Sequence, residues 1–140
     1  MLNSTTYDFH PFLRADGTHI YFISARSNPR PGLFQSARQS GVFAAPTPVA
    51  GLTETDDTAV VFAGGLRMLF RRKRDIYTAR RVAETEPFGS ITLVSELNTP
   101  TSAEGPSWVS EDGCKVIIFS DRDSDGGSGV YDLYAARRPL

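Results

Sequence analysis

The densest cluster of chemistry-bearing side chains is Asp121-Arg122-Asp123-Ser124-Asp125-Gly126, followed by Asp132 eleven positions after Asp121. Oxygens at positions 1, 3, 5 and 12 of a loop with glycine at 6 can wrap a hard cation such as Ca2+, because a tight turn gathers several carboxylates around one point. Here the twelfth residue is aspartate where the helical motif has glutamate, and the flanking segments have the composition of strands. A Ca2+ site formed by Asp121, Asp123, Asp125 and Asp132 is one reading. An acidic, glycine-rich strand connection that holds no metal, and so no cofactor at all, is the other.

Other polar groups point to less. Arg71-Arg72-Lys73-Arg74 could meet an anionic partner, but a short basic run on a near-neutral chain is expected to be a solvated hairpin tip. His10 and His19, with no clustered carboxylate, make no metal triad and are expected to satisfy local hydrogen bonds. Trp108 is expected in core packing, with the lining of a central channel as the alternative. There is no Gly-x-Ser-x-Gly elbow, no His-Glu-x-x-His and no phosphate loop with Lys-Ser or Lys-Thr. Gly126-Gly127-Ser128-Gly129 precedes no helix and signals flexibility only. No catalytic residue is assigned, and the chain is not expected to be an enzyme.

Composition narrows the classes further. With 15 basic and 16 acidic side chains in 140 residues, a net charge of −1 provides no long-range field for polyanions, so nucleic acid is not an expected partner. The lone Cys114 can form no internal disulfide. The opening residues lack a basic segment followed by an apolar one, and no stretch approaches the roughly 18 apolar residues of a membrane span. The expectation is a soluble chain with no export signal and no membrane span.

The elements that must carry these side chains repeat. Gly17, Gly65 and Gly113 lie 48 residues apart, in the turns Ala15-Asp16-Gly17, Ala63-Gly64-Gly65 and Glu111-Asp112-Gly113. Each is followed by an apolar run, Ile20–Ile23, Met68–Phe70 and Val116–Phe119, too short for a helix and rich in β-branched or aromatic residues. Next comes an aliphatic-aromatic-x-small strand: Leu33-Phe34-Gln35-Ser36, Ile76-Tyr77-Thr78-Ala79 and Leu133-Tyr134-Ala135-Ala136. A fourth element follows in the first two units, Val42–Leu52 and Pro87–Leu97, while the third stops at Leu140 before reaching one. Leu2-Asn3 and Leu97-Asn98 open the first and third units alike. No stretch shows capped 3.6 periodicity, so helix content should be close to nil.

The reading is all-β: about three four-stranded antiparallel units that form β-propeller blades, a partial or half propeller. One domain spans 1–140, with repeats at about 3–52, 53–100 and 101–140. Runs that are apolar without alternation fit strands covered on both faces, as in stacked blades.

On these motifs the chain resembles the WD40-like Pro-Asp-Gly repeat family of TolB-type β-propellers. The resemblance rests on Pro11 to Gly17 with Tyr21-Phe22-Ile23-Ser24, on Gly105 to Gly113, and on Ser120-Asp121-Arg122 with Asp132-Leu133-Tyr134. In the second unit Ala59 replaces the proline and Gly64-Gly65 the Asp-Gly, leaving Asp75-Ile76-Tyr77, so one distorted blade is expected there. The resemblance implies a ring of six or seven blades used for protein–protein contact, periplasmic or extracellular. Three blades leave two apolar faces uncovered, so the chain is either part of a longer propeller or half of a homodimer that closes a six-bladed ring. The expected function is a non-catalytic scaffolding module for a protein partner, acting through the loops at 25–32, 71–74 and 121–129. The alternatives are a propeller that accompanies a hydrolase of the prolyl oligopeptidase type and a Ca2+-dependent ligand-binding propeller.

Overall fold

The computed structural model describes residues 2–26, 31–53, 55–122 and 130–137. Its strands form three antiparallel sheets in chain order. The first holds β1 (Asp8–Leu13), β2 (His19–Ser24) and β3 (Gly32–Gln39), with the short β4 (Val42–Phe43) and β5 (Thr47–Pro48) both pairing β3. The second is a regular meander of β6 (Asp56–Phe62), β7 (Arg67–Arg72), β8 (Asp75–Arg80) and β9 (Gly89–Leu93). The third holds β10 (Glu104–Val109), β11 (Lys115–Ser120) and β12 (Asp132–Arg137). Thus only the second sheet has four single strands; the first splits its outer strand in two, and the third has three among the described residues.

The periodic glycines make the first hairpin of each sheet. Gly17, Gly65 and Gly113 have φ of 69°, 84° and 71°, a region that costs an L-residue roughly 1 kcal/mol or more. Each donates its N–H to the carbonyl three residues back: Arg14, Phe62 and Ser110. A 3-10 turn at Ser95–Leu97 is the helical segment among the described residues, where no helix is long and apolar enough to cross a membrane.

Two apolar clusters join the sheets. Tyr21, Ile23 and Leu33 of the first sheet pack on Ala59, Val61, Met68, Phe70 and Ala79 of the second. From the opposite face of the second sheet, Val60, Phe62, Leu69 and Ile76 pack on Val109 and Ile118 of the third. The middle sheet therefore buries Met68, Leu69 and Phe70 in succession, as the non-alternating run predicts. Among the described residues the third sheet is covered on one face only, and of Val116–Phe119 only Ile118 is fully buried.

Two expectations change here. The second unit keeps four single strands in order despite its missing Pro and Asp-Gly, with a neighbour on each side and a compensating ion pair, described below. Trp108 is not core: it lies half-exposed on the face of the third sheet that no other described sheet covers.

Candidate functional site

A carboxylate opens the first strand of each sheet, at Asp8, Asp56 and Glu104, again 48 residues apart. Each meets an arginine from the end of the second strand or just beyond: Arg26 at 3.0 Å, Arg72 at 2.6 Å and Arg122 at 3.2 Å. Each guanidinium also lies over aromatic rings of its own sheet, Phe22 and Phe34 for Arg26, Phe70 and Tyr77 for Arg72, and Tyr134 for Arg122. The outer two arginines donate from the same atom to the incoming chain, Arg26 to the Leu2 carbonyl and Arg122 to the Leu97 carbonyl at 2.6 Å. They thereby tie each unit's leading segment to its own hairpin.

The second sheet reaches the same pairing differently. Register places Ser24, Arg72 and Ser120 opposite the three carboxylates. In the outer sheets the arginine stands two residues beyond that serine and donates to it, whereas in the middle sheet it occupies the serine's own place. Arg72 then grips the fully buried Asp56 with two nitrogens, at 2.6 and 2.9 Å, and that carboxylate holds it protonated above the usual arginine range. At Asp8, burial alone would raise the carboxyl; hydrogen bonds from Ser24, Ser4 and Arg26 outweigh it and hold the group well below the usual carboxylate range.

Held this way, β1, β6 and β10 face a common cleft of about 260 Å3, lined by His10, Pro11, Phe12, Thr58, Pro106, Ser107 and Phe119, among others. All three strands are bulged there: register slips between Phe9 and Phe12, between Asp57 and Ala59, and between Pro106 and Trp108. His10 and Thr58 adopt left-handed backbone, φ 51° and 41°. Such residues cost of order 1 kcal/mol or more, and bulges of this kind turn side chains out of the ladder toward a binding surface. His10 Nδ1 and Thr58 Oγ1 meet at 2.9 Å, joining the first two sheets across the cleft. Phe119 closes one wall, its ring against Gly105, where a Cβ would lie 2.1 Å from it. Arg71 lies 5.5 Å from that ring centroid and pairs with Asp57 at 2.7 and 3.0 Å. Hydroxyl and imidazole groups beside an apolar wall suit the cleft to hydrogen-bonding an extended chain.

The residues singled out in the sequence land elsewhere. Asp121 Oδ1 accepts the Ala103 N–H at 2.6 Å, and its other oxygen lies 3.7 Å from Arg74, so it braces the start of β10. Asp132 opens β12, exposed and paired in register with Ser120. Asp123 and Asp125 lie outside the described residues, as do Gly126–Gly129. Among the described residues no group of three or more His, Cys, Asp or Glu is placed to hold a metal. The run 71–74 is not one solvated tip, since Arg71 and Arg72 are strand residues committed to Asp57 and Asp56, leaving Lys73 and Arg74 at the turn. His19 does make local bonds, with Arg14 and Thr18. His10 bonds across sheets instead. His10 and Thr58 stand at equivalent places in the repeat, 48 residues apart, but neither residue type announces a bulge, and the spacing alone marks no cleft.

No protein-family model matches the chain, nor does any curated protein. Among solved structures the chain is similar to the crystal structure of TolB from Acinetobacter baumannii, with a TM-score of 0.59 and 16% identity. The match covers 97% of this chain and 31% of that one, so the chain spans about a third of that structure's length. At this identity the likeness shows the fold alone: three antiparallel sheets that resemble blades of a TolB-type β-propeller, a partial propeller.

Proposed function

We propose that this chain is a non-catalytic propeller module that recognises a protein partner, with an extended segment of the partner entering the cleft between β1, β6 and β10. The observation that carries this reading is the cleft itself, where three bulged strands present His10, Thr58 and Ser107 beside Phe119. The fold likeness supports it, because propellers gain partners through loops and channel-facing strands on a rigid scaffold. In this reading the repeats 3–52, 53–100 and 101–140 are successive Pro-Asp-Gly units of the WD40-like kind, working in the periplasm or outside the cell. The same reading keeps a Ca2+ ion held by Asp121, Asp123, Asp125 and Asp132 as a second proposal, tested separately.

The test is selection of displayed random peptides on the immobilised chain, followed by calorimetric titration of enriched sequences. Micromolar binding is expected, weakened at least about tenfold by His10→Ala and by Ser107→Arg, which fills the exposed side of the cleft. Val82→Ala, at an exposed site outside the cleft lining, should leave it unchanged. Failure to enrich any peptide, or enriched peptides indifferent to both cleft substitutions, would sink the reading.

A further inference from the structure

Arg67 of β7 and Arg80 of β8 stand directly opposite each other in the register of the middle sheet, so both side chains leave the same face from neighbouring strands. Like charges placed in this way repel each other. Elsewhere in the chain an arginine on a strand or at its end meets a carboxylate, as Arg14, Arg26, Arg71, Arg72 and Arg122 all do. Arg67 and Arg80 do not: among the described residues neither side chain makes an ion pair or a hydrogen bond.

The next register pair, Thr78 with Thr92 of β9, puts two hydroxyls on that same face. Between the two pairs β9 is bulged, and Ser90 sits in the bulge in left-handed backbone, φ 49°. These five polar side chains line one cavity of about 380 Å3, with the buried Phe62 and Ala79 beneath them. No acidic side chain is among its described lining. Thr78 Oγ1 donates to the Met68 carbonyl at 3.1 Å, but the hydroxyls of Ser90 and Thr92 have no partner among the described residues. The inner part of the face, at Val60, Leu69 and Ile76, is sealed by Val109 and Ile118 of the third sheet, and the cavity lies outward of that seal.

Two guanidiniums and two free hydroxyls around one space supply donors and positive charge with nothing to neutralise them. A carboxylate would bring one charge and two oxygens, enough for a single arginine. A phosphate group brings about −1.5 to −2 charges near pH 7 and three strong acceptor oxygens, enough for both arginines and a hydroxyl. We propose that this cavity binds a phosphate group, held by Arg67 and Arg80 together, with Ser90 and Thr92 donating to its remaining oxygen. The bound group removes the repulsion between the two arginines. The site lies on β7, β8 and β9, away from the cleft between β1, β6 and β10, and does not rest on the partner-binding reading above.

The probe is inorganic phosphate. At neutral pH and constant ionic strength, millimolar phosphate in place of chloride should raise the melting temperature of the full chain, and calorimetric titration should saturate. Arg67→Gln and Arg80→Gln should each raise the phosphate dissociation constant at least about tenfold. In chloride neither should lower the melting temperature, since both side chains are exposed and each change also relieves the repulsion. Lys73→Gln removes an equal charge at the turn that closes the other end of the β7–β8 hairpin and should leave binding unchanged. Phenyl phosphate binding as tightly as inorganic phosphate would support a site for a phosphate carried on a larger molecule; inorganic phosphate binding alone would support a site for the free ion. Three results would each overturn the proposal. No effect of phosphate beyond that of chloride means two solvated arginines, an equal effect of acetate means a carboxylate site, and an equal loss in Lys73→Gln means charge screening without a site.

Discussion

Asp56 and Arg72 face each other at the first register pair of β6 and β7, joined by two hydrogen bonds, with the carboxylate wholly buried. Asp56 Oδ2 also accepts the Thr53 N–H at 2.7 Å, so the pair fixes the entry of the middle blade as well as its edge. Removing one partner of a buried pair strands the other charge out of water, which costs far more than the intact pair contributes. Arg72→Ala should therefore destabilise the fold by about 3–5 kcal/mol. Arg74→Ala, at a 60% exposed side chain two residues on, should stay within about 0.5 kcal/mol. Urea unfolding of both variants decides it, and similar midpoints would contradict the role assigned to Asp56.

Stability should fall with acidity in two windows. His19 is held below its ordinary 6.5 chiefly by burial, which, helped by the Arg14 and Arg81 charges, outweighs the opposing pull of Glu84 and Asp16. A lowered folded value means the unfolded chain binds the proton more readily, so this contribution is full above pH 6.5 and is lost as pH drops below it. Asp8 and Asp16 are held below their ordinary 3.8, so theirs is full above that pH and is lost at more acid values. Thermal melts from pH 8 to 3 should show both declines. His19→Gln should flatten the first and Asp8→Asn part of the second.

Gly51 should be the least replaceable of the turn glycines. Its φ is 89°, and a Cβ there would sit 1.9 Å from the Phe88 carbonyl oxygen, a backbone atom that cannot swing aside. Gly41 shares the left-handed backbone, at φ 84°, but faces open space. Gly41→Ala should cost about 1 kcal/mol and Gly51→Ala clearly more, on the order of 2–4 kcal/mol, with chemical denaturation as the measure. Equal costs would mean that the β5-to-β6 loop relaxes freely.

The Ca2+ reading makes its own prediction. For a site with a dissociation constant of roughly 0.1 mM, calcium at a hundredfold excess adds about 2.7 kcal/mol to stability. The melting temperature should rise with Ca2+ and not with Mg2+, and Asp123→Ala should abolish the rise. No shift at millimolar Ca2+ leaves Asp121 as a brace for Ala103 and the loop as a plain connection.

Much of the architecture is legible in residue order because it is governed by short-range physics. Left-handed glycines at 17, 65 and 113, with apolar runs after them, specify a hairpin whatever surrounds it. The middle blade is instructive, since its missing Pro and Asp-Gly suggest distortion. In the fold, Arg72 takes over a serine's register place and restores the pairing that Arg26 and Arg122 make from two residues further along. That exchange depends on which side chains stand opposite each other across β6 and β7, which spacing along the chain does not reveal.

The cleft and the fate of the two end faces belong to tertiary structure alone. Leu33, Ile76 and Leu133 are chemically alike and stand in equivalent registers, yet two are buried and one is in water. Burial is decided by whether another blade stacks against that face, not by the residue itself. His10 and Thr58 likewise become one polar site only because two bulges 48 residues apart turn toward each other across neighbouring blades. A repeat dictates the shape of each unit through local backbone and pairing preferences. The contacts between units arise only when the sheets stack, because hydrogen bonding across a cleft and burial of an apolar face both require groups that are distant in the chain to share one place.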